Sequence, residues 1–303
     1  MKHNLNENII YIELPEIFNY ELNLEYLKEH QEGILYHIKN REIRLVIDTP
    51  HGNTLVEIKE ENGSLSILYL KGKSFQEEAH RNAIINYIEN WFDLKTNLVP
   101  FYEMAKNDVI LREPTEKYFG LRNVGFPNLF ESLVSAIIGQ QINIQFAYSV
   151  KQEFVKTYGE IIHYGGKDYS VFPHPEKVAR ETIESFSGFR ATNRKKAYIL
   201  DIAKRMVAGT LSKENLLKLN NTSAVEKELT KIKGVGPWTA TVVAMRCLKY
   251  TDALPVADVG LINSIKQALG MDRKPTTEEI KKFAENWKGH ESYATFYLWK
   301  ALY

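Results

Sequence analysis

Apolar and polar residues alternate in short runs over the first seventy positions: residues 9–13, 34–38, 44–48, 54–59 and 64–70. A period of two is the signature of a strand, so these runs predict a sheet. Asn62 and Gly63 separate the last two runs, and that pair favours a two-residue hairpin turn. Helical spacing over 22–30 and 75–92 predicts two helices that interrupt and close the sheet. The expected unit is an antiparallel α+β domain ending near Leu94.

Beyond Asn97 the pattern changes to one helix after another. The candidates are 99–106, 130–158, 175–184, 194–207, 223–231, 237–248, 259–269, 277–287 and 293–302. Thr192 or Asn193, Asp258, and Thr276 or Thr277 stand where N-caps belong, and Gly209 and Gly270 follow helices as C′ residues. The stretch 163–175 reads as a loop. Two regions are expected, 1–96 and 97–303, each large enough to bury a core of its own.

Composition changes this picture little. A net charge of +1 gives no general attraction to nucleic acid or acidic lipid, so DNA binding requires a localised face. Cys247 is the only cysteine, which removes internal disulfides and thiolate-ligated clusters. No apolar run approaches the length of a membrane span, and the N-terminus lacks the apolar stretch of a signal peptide. A reducing, cytoplasmic setting is expected.

Chemistry concentrates in residues 229–241, where two helices meet through Gly234, Val235 and Gly236. Glycine takes positive φ without steric cost, so consecutive amides can point the same way. Pro237 suits a first helical residue, and the free amides there suit a phosphate. Lys231 and Lys233 add charge. A plain inter-helix turn uses the same glycines, so the motif alone does not decide.

Asp258 opens a helix about twenty residues on. It can cap that helix through the amide of Gly260 or Leu261, and the same placement favours an ionised carboxylate able to stabilise positive charge. Trp238 and Trp299 fall near it. With Tyr293, Phe296 and Tyr297, Trp299 could belong to a buried stripe, or the indoles could wall a flipped, cationic base, worth about 1–2 kcal/mol. Gln140, Gln141 and Asn143 place amide groups at a helix junction, as turn polarity or as groups entering a DNA groove. Arg190, Arg194, Lys195 and Lys196 form a basic cluster that a solvated face also explains. The histidines lack metal-ligand spacing, and neither a serine nucleophile elbow nor a phosphate-binding loop of the Walker type occurs.

Residues 130–141, 234–240, 254–258 and 292–294 with Trp299 together resemble the helix-hairpin-helix DNA glycosylases, and within them the DNA-3-methyladenine glycosylase II family. The similarity is dense over 97–303 and diffuse before it, where the strand-rich region looks like that family's small TATA-binding-protein-like domain. The resemblance implies that Asp258 is the catalytic acid, Trp238 a pocket tryptophan, and Trp299 an aromatic packed against the acid. It implies DNA contacts from Gly234, Gly236, Thr239, Gln140 and Gln141, and a monovalent cation, sodium or potassium, on the carbonyls of Thr230, Ile232 and Val235.

Two departures stand out. Gln141 replaces an apolar wedge, and Val242 and Val259 replace pocket tyrosines. Trp238 stands where strand-nicking members carry a lysine, which implies monofunctional hydrolysis. The implied protein is a monomer that acts on damaged duplex DNA in base excision repair, releasing 3-methyladenine, 7-methylguanine and related bases. The flipped base is expected in a cleft between the helical body and the sheet. The rivals are an oxidised-purine glycosylase/lyase and a non-catalytic binder of DNA structure.

Overall fold

The computed structural model describes residues 3–6, 8–30 and 33–302. Strands β1 (His3–Asn6), β2 (Ile9–Glu13), β3 (Tyr36–Lys39), β4 (Glu42–Thr49), β5 (Gly52–Glu61) and β6 (Ser64–Gly72) form one antiparallel sheet in the order β1-β2-β6-β5-β4-β3. Asn62 and Gly63 both take positive φ, 51° and 76°, and Glu61 pairs with Ser64. The two-residue hairpin is therefore the one its sequence favours. Helices α1 (Tyr20–Glu29) and α2 (Glu78–Trp91) share an apolar cluster with the sheet through Leu24, Leu27, Ile84 and Ile88.

The helical body contains α3 (Val99–Ala105), α4 (Arg112–Lys117), α5 (Leu129–Gly139) and α6 (Ile144–Tyr158). After an inserted β-hairpin come α7 (Pro175–Ala179), α8 (Asn193–Val207), α9 (Lys213–Leu217), α10 (Thr222–Leu229), α11 (Pro237–Arg246), α12 (Val259–Ala268), α13 (Thr277–Ala284) and α14 (Glu291–Leu302). The α+β architecture expected from the hydrophobic pattern is present. Thr192, Asp258 and Thr276 are N-caps, the last completed into a capping box by Glu279. Gly209 and Gly270 sit at C′ with φ of 70° and 59°.

The structure departs from the pattern in three places. The run 130–158 breaks into α5 and α6 at Gln140–Asn143, where Gln141 takes a φ of 58°. The short helices α4 and α9 are too brief to show a period. The stretch expected as a loop forms β7 (Glu160–Tyr164) and β8 (Lys167–Val171), joined by Gly165 and Gly166 at positive φ. This hairpin lays Tyr169 and Val171 over Val46 and Leu55 on the sheet's second face. That cover explains why β5 is buried continuously from Thr54 to Ile58 instead of at alternate positions.

The two regions also share more than expected. One continuous apolar cluster contains Ile67 and Phe92 from the N-terminal part and Phe101, Phe130 and Tyr297 from the helical body. Arg122, fully buried, crosses the junction by donating to the carbonyls of Asp93, Thr96 and Ile17. Tyr293 Oη donates to Asp93 at 2.6 Å in the same layer. A buried guanidinium is tolerated only when its donors are satisfied, so this network fixes the sheet against the body.

Candidate active site

The turn between α10 and α11 is built on buried Ile232 and Val235, with the Val235 amide donating to the Ile232 carbonyl at 3.0 Å. Gly234 reverses the chain at a φ of 91°. A Cβ there would lie 2.1 Å from Cδ2 of Tyr198, so glycine is needed both for the backbone angle and for the ring beside it. Gly236 differs from expectation. Its φ is −89° with ψ 176°, an extended conformation open to any residue, and a Cβ there would meet nothing within 4 Å. The free space outside Gly236 leaves room for a ligand to approach the backbone.

Helix α11 has no side-chain N-cap, whereas Asn221 caps α10 and Asp258 caps α12. The first amides of a helix have no intrahelical acceptor, so those of Trp238 and Thr239 face outward as donors for an anion. The side chain of Thr239 is not free for this. It is buried, and its Oγ1 accepts from Gln140 Nε2 at 3.1 Å. The same Gln140 amide donates to the Gly234 carbonyl at 2.9 Å. Gln140 thus ties the α5–α6 loop to the hairpin, and Gln141 beside it is exposed at the tip of that loop.

The basic cluster is likewise engaged within the protein. Lys195 Nζ donates to the carbonyls of Ile138 and Gln140 at the end of α5, and burial lowers its pKa. Arg190 pairs with Glu153 and lies over Phe146, Arg194 lies against Tyr198, and Lys196 lies over Phe189.

Asp258 joins the two helix starts. Its Oδ1 accepts from the Leu261 amide at 2.8 Å and from Trp299 Nε1 at 2.7 Å, and its Oδ2 accepts from Trp238 Nε1 at 2.8 Å. The cap and the reactive-acid readings therefore describe the same group. Three donors fix the carboxylate, which is 9% exposed. Charge-assisted hydrogen bonds of this kind are short and hold orientation well. Tyr293, Phe296 and Tyr297 are buried in the stripe expected of α14, while Trp299 and Trp238 are only half-buried. Val259, next to the acid, is 61% exposed.

The sheet takes no part in this arrangement. Among the described residues, the partners of the Asp258 carboxylate come from α11, α12 and α14. A cavity of about 610 Å³ does lie at the junction of sheet and body, but its walls include Asp48, Tyr87, Asp93, Lys95, Lys213 and Lys249 and none of the three site residues. That cavity is therefore not the one beside the acid.

Lys249 lines that cavity and donates to the Asn123 carbonyl at 2.5 Å. Burial, with the nearby Arg246 and Lys213 charges and against the attraction of Asp93, lowers its pKa from 10.5 to about 7. Because the folded value lies below the unfolded one, the unfolded chain binds more protons between these two values, and this residue's penalty is relieved as pH rises through that window. Lys249→Met is expected to stabilise the fold by about 2 kcal/mol near neutral pH, after allowance for cavity water, and to lose that advantage near pH 10. Thermal melting at the two pH values measures the difference.

Sequence patterning did not single out Gly260, Ser264 or Tyr198. Ser264 Oγ donates to the Leu298 carbonyl at 2.7 Å and so docks α12 on α14 beside Trp299. Only the contacts reveal this, since a serine inside a helix does not say what it touches.

The model of the HhH-GPD superfamily base excision DNA repair protein matches residues 134–289, and that of the 8-oxoguanine DNA glycosylase N-terminal domain matches 16–133. A DNA-3-methyladenine glycosylase of Bacillus subtilis is 46% identical over 302 residues, covering 99% of each chain. Among solved structures, a 3-methyladenine DNA-glycosylase from Archaeoglobus fulgidus superposes with a TM-score of 0.82 at 21% identity, covering 96% of this chain and 97% of its own. An 8-oxoguanine glycosylase/lyase of Clostridium acetobutylicum in complex with DNA gives 0.77 at 20% identity, covering 99% and 97%. At those identities the two structures speak for the fold. With the hairpin and its acid inside a matched segment of more than half its length, the chain belongs to the HhH-GPD superfamily of base excision DNA repair proteins.

Proposed function

We propose that the protein is a monofunctional DNA glycosylase that hydrolyses the N-glycosidic bond of alkylated bases, 3-methyladenine and 7-methylguanine among them, in duplex DNA. The observation that carries this reading is the pair of indole N–H groups fixing Asp258, one of them from Trp238 at the position where a lyase needs a lysine amine. The relative named for 3-methyladenine at 46% identity supports the same substrate class.

An alkylated purine already carries positive charge and departs without a general acid. What remains is an oxocarbenium ion on the deoxyribose, and the ionised Asp258 supplies the opposing charge at a fixed point. Oδ1 is taken up by two donors and Oδ2 by one, so Oδ2 retains room to orient the attacking water. The outward amides of Gly236, Trp238 and Thr239 grip a backbone phosphate, which positions the duplex without selecting sequence. Damaged bases pair weakly, which lowers the cost of extrusion, a few kcal/mol in total. Gln141 stands at the loop tip, where it can enter the gap left by the extruded nucleotide.

We infer further that the hairpin holds a monovalent cation. Neither the Thr230 nor the Val235 carbonyl accepts a hydrogen bond from a described residue, whereas the Ile232 carbonyl accepts one from Val235. Oxygen donors of this kind suit sodium or potassium, whose charge would strengthen the phosphate grip. Action as a monomer in the cytoplasm belongs to the same reading; no helix among the described residues is long and apolar enough to cross a membrane.

Methylated duplex DNA tests the proposal. Chromatography should show free 3-methyladenine and 7-methylguanine released by the protein. Borohydride added during the reaction should trap no covalent adduct. A trapped adduct with an oxidised-purine substrate would replace this reading with the lyase one.

A further inference from the structure

We infer that Gly260 is a positioning residue for base release, because its missing side chain is what lets the Trp299 indole reach the Asp258 carboxylate. This inference rests on the glycosylase reading of the site. Gly260 is the second residue of α12, and its φ is not among the positive ones, so no backbone angle demands glycine there. Within a helix glycine is a poorer choice than alanine. The reason for it must be space.

The space is specific. A Cβ on Gly260 would stand 3.0 Å from Trp299 Cδ1, 3.1 Å from Trp299 Nε1 and 3.0 Å from Asp258 Oδ1. Those last two atoms are the donor and acceptor of the 2.7 Å hydrogen bond between indole and acid. An added methyl group would therefore press on both ends of one bond. Helix α14 is tied to α12 beside this point by Ser264 Oγ, whose single proton lies between the Leu298 carbonyl at 2.7 Å and the Gly260 carbonyl at 2.8 Å. The indole edge and the carboxylate must then give by a few tenths of an ångström, at the bond between them. The Leu261 amide and Trp238 would still hold the carboxylate, so the helix cap survives while its orientation changes.

Single-turnover release from methylated duplex DNA, measured for wild type, Gly260→Ala, Trp299→Phe and the double variant, tests the assignment. Gly260→Ala should slow release about tenfold, the scale expected for a sub-ångström misplacement of a catalytic group, with unchanged duplex affinity and no loss of melting temperature. Trp299→Phe should also slow release, and adding Gly260→Ala to it should cost nothing more, since both changes remove the same bond. In ¹⁵N-labelled protein the Trp299 indole N–H resonance, assigned by its absence in Trp299→Phe, should leave its hydrogen-bonded position in Gly260→Ala while that of Trp238 stays.

Wild-type release with Gly260→Ala equally fast, or with effects that multiply in the double variant, would overturn this assignment alone. An unmoved Trp299 resonance would do the same. No release by the wild type would overturn the glycosylase reading and this inference with it.

Discussion

Asp258→Asn is expected to slow base release by about 10²–10³-fold while duplex affinity stays within about twofold of wild type. The change keeps shape and removes charge, so it withdraws the group that opposes the developing oxocarbenium ion. It also disturbs the geometry. An asparagine oxygen can still accept from Leu261 and Trp299, but its amide then faces the N–H of Trp238, donor against donor. Losing that bond should cost about 1–2 kcal/mol of stability. The phosphate grip lies on the amides at the start of α11, which the Asp258 side chain does not contact, so binding persists. Single-turnover kinetics and fluorescence anisotropy on the same duplex separate the two effects. A protein that binds DNA without chemistry would show no release in either form.

How much of this was legible beforehand depended on whether one residue or several carried the signal. The Asn62-Gly63 hairpin and the Thr276 cap each rest on a local rule, and the structure follows both. The resemblance already placed Trp299 against Asp258 and Trp238 nearby, and both indoles do donate to that carboxylate; the residue pattern alone does not bring them together. Their union depends on α11, α12 and α14 converging, and residues 238, 258 and 299 share no local pattern. Gln140 shows what the pattern does not carry: its Nε2 donates to the Gly234 carbonyl and Thr239 Oγ1, a tie within the protein that sequence spacing gives no sign of.

The hairpin β7–β8 could have been found, because Gly165 and Gly166 separate two alternating runs. What could not be read is that it covers β4 and β5, burying Val46 and Leu55 on the sheet's second face. The junction between the two regions was hidden for a similar reason. Arg122 looks like a surface charge until Asp93, Thr96 and Ile17 surround it.

Gly234→Ala is expected to destabilise the protein by about 3 kcal/mol, from two separable sources. Holding an L-residue at a φ of 91° costs about 1–2 kcal/mol. Forcing a methyl group to within 2.1 Å of the Tyr198 ring adds overpacking of about 1–3 kcal/mol. The ring has little freedom to yield, since it is buried and its hydroxyl accepts from Arg194 Nε. For a chain of this size the loss corresponds to a melting point lower by about 5 °C. Trimming the ring distinguishes the sources: in a Tyr198→Leu background the same alanine should cost only the backbone share. Because Gln140 bonds to the Gly234 carbonyl, the displaced turn also carries the α5–α6 loop with it. Duplex affinity should therefore fall in Gly234→Ala even at temperatures where the protein is fully folded, whereas Gly260→Ala, distant from that tie, leaves affinity untouched. Equal affinity in the two variants would mean that the hairpin does not hold the strand.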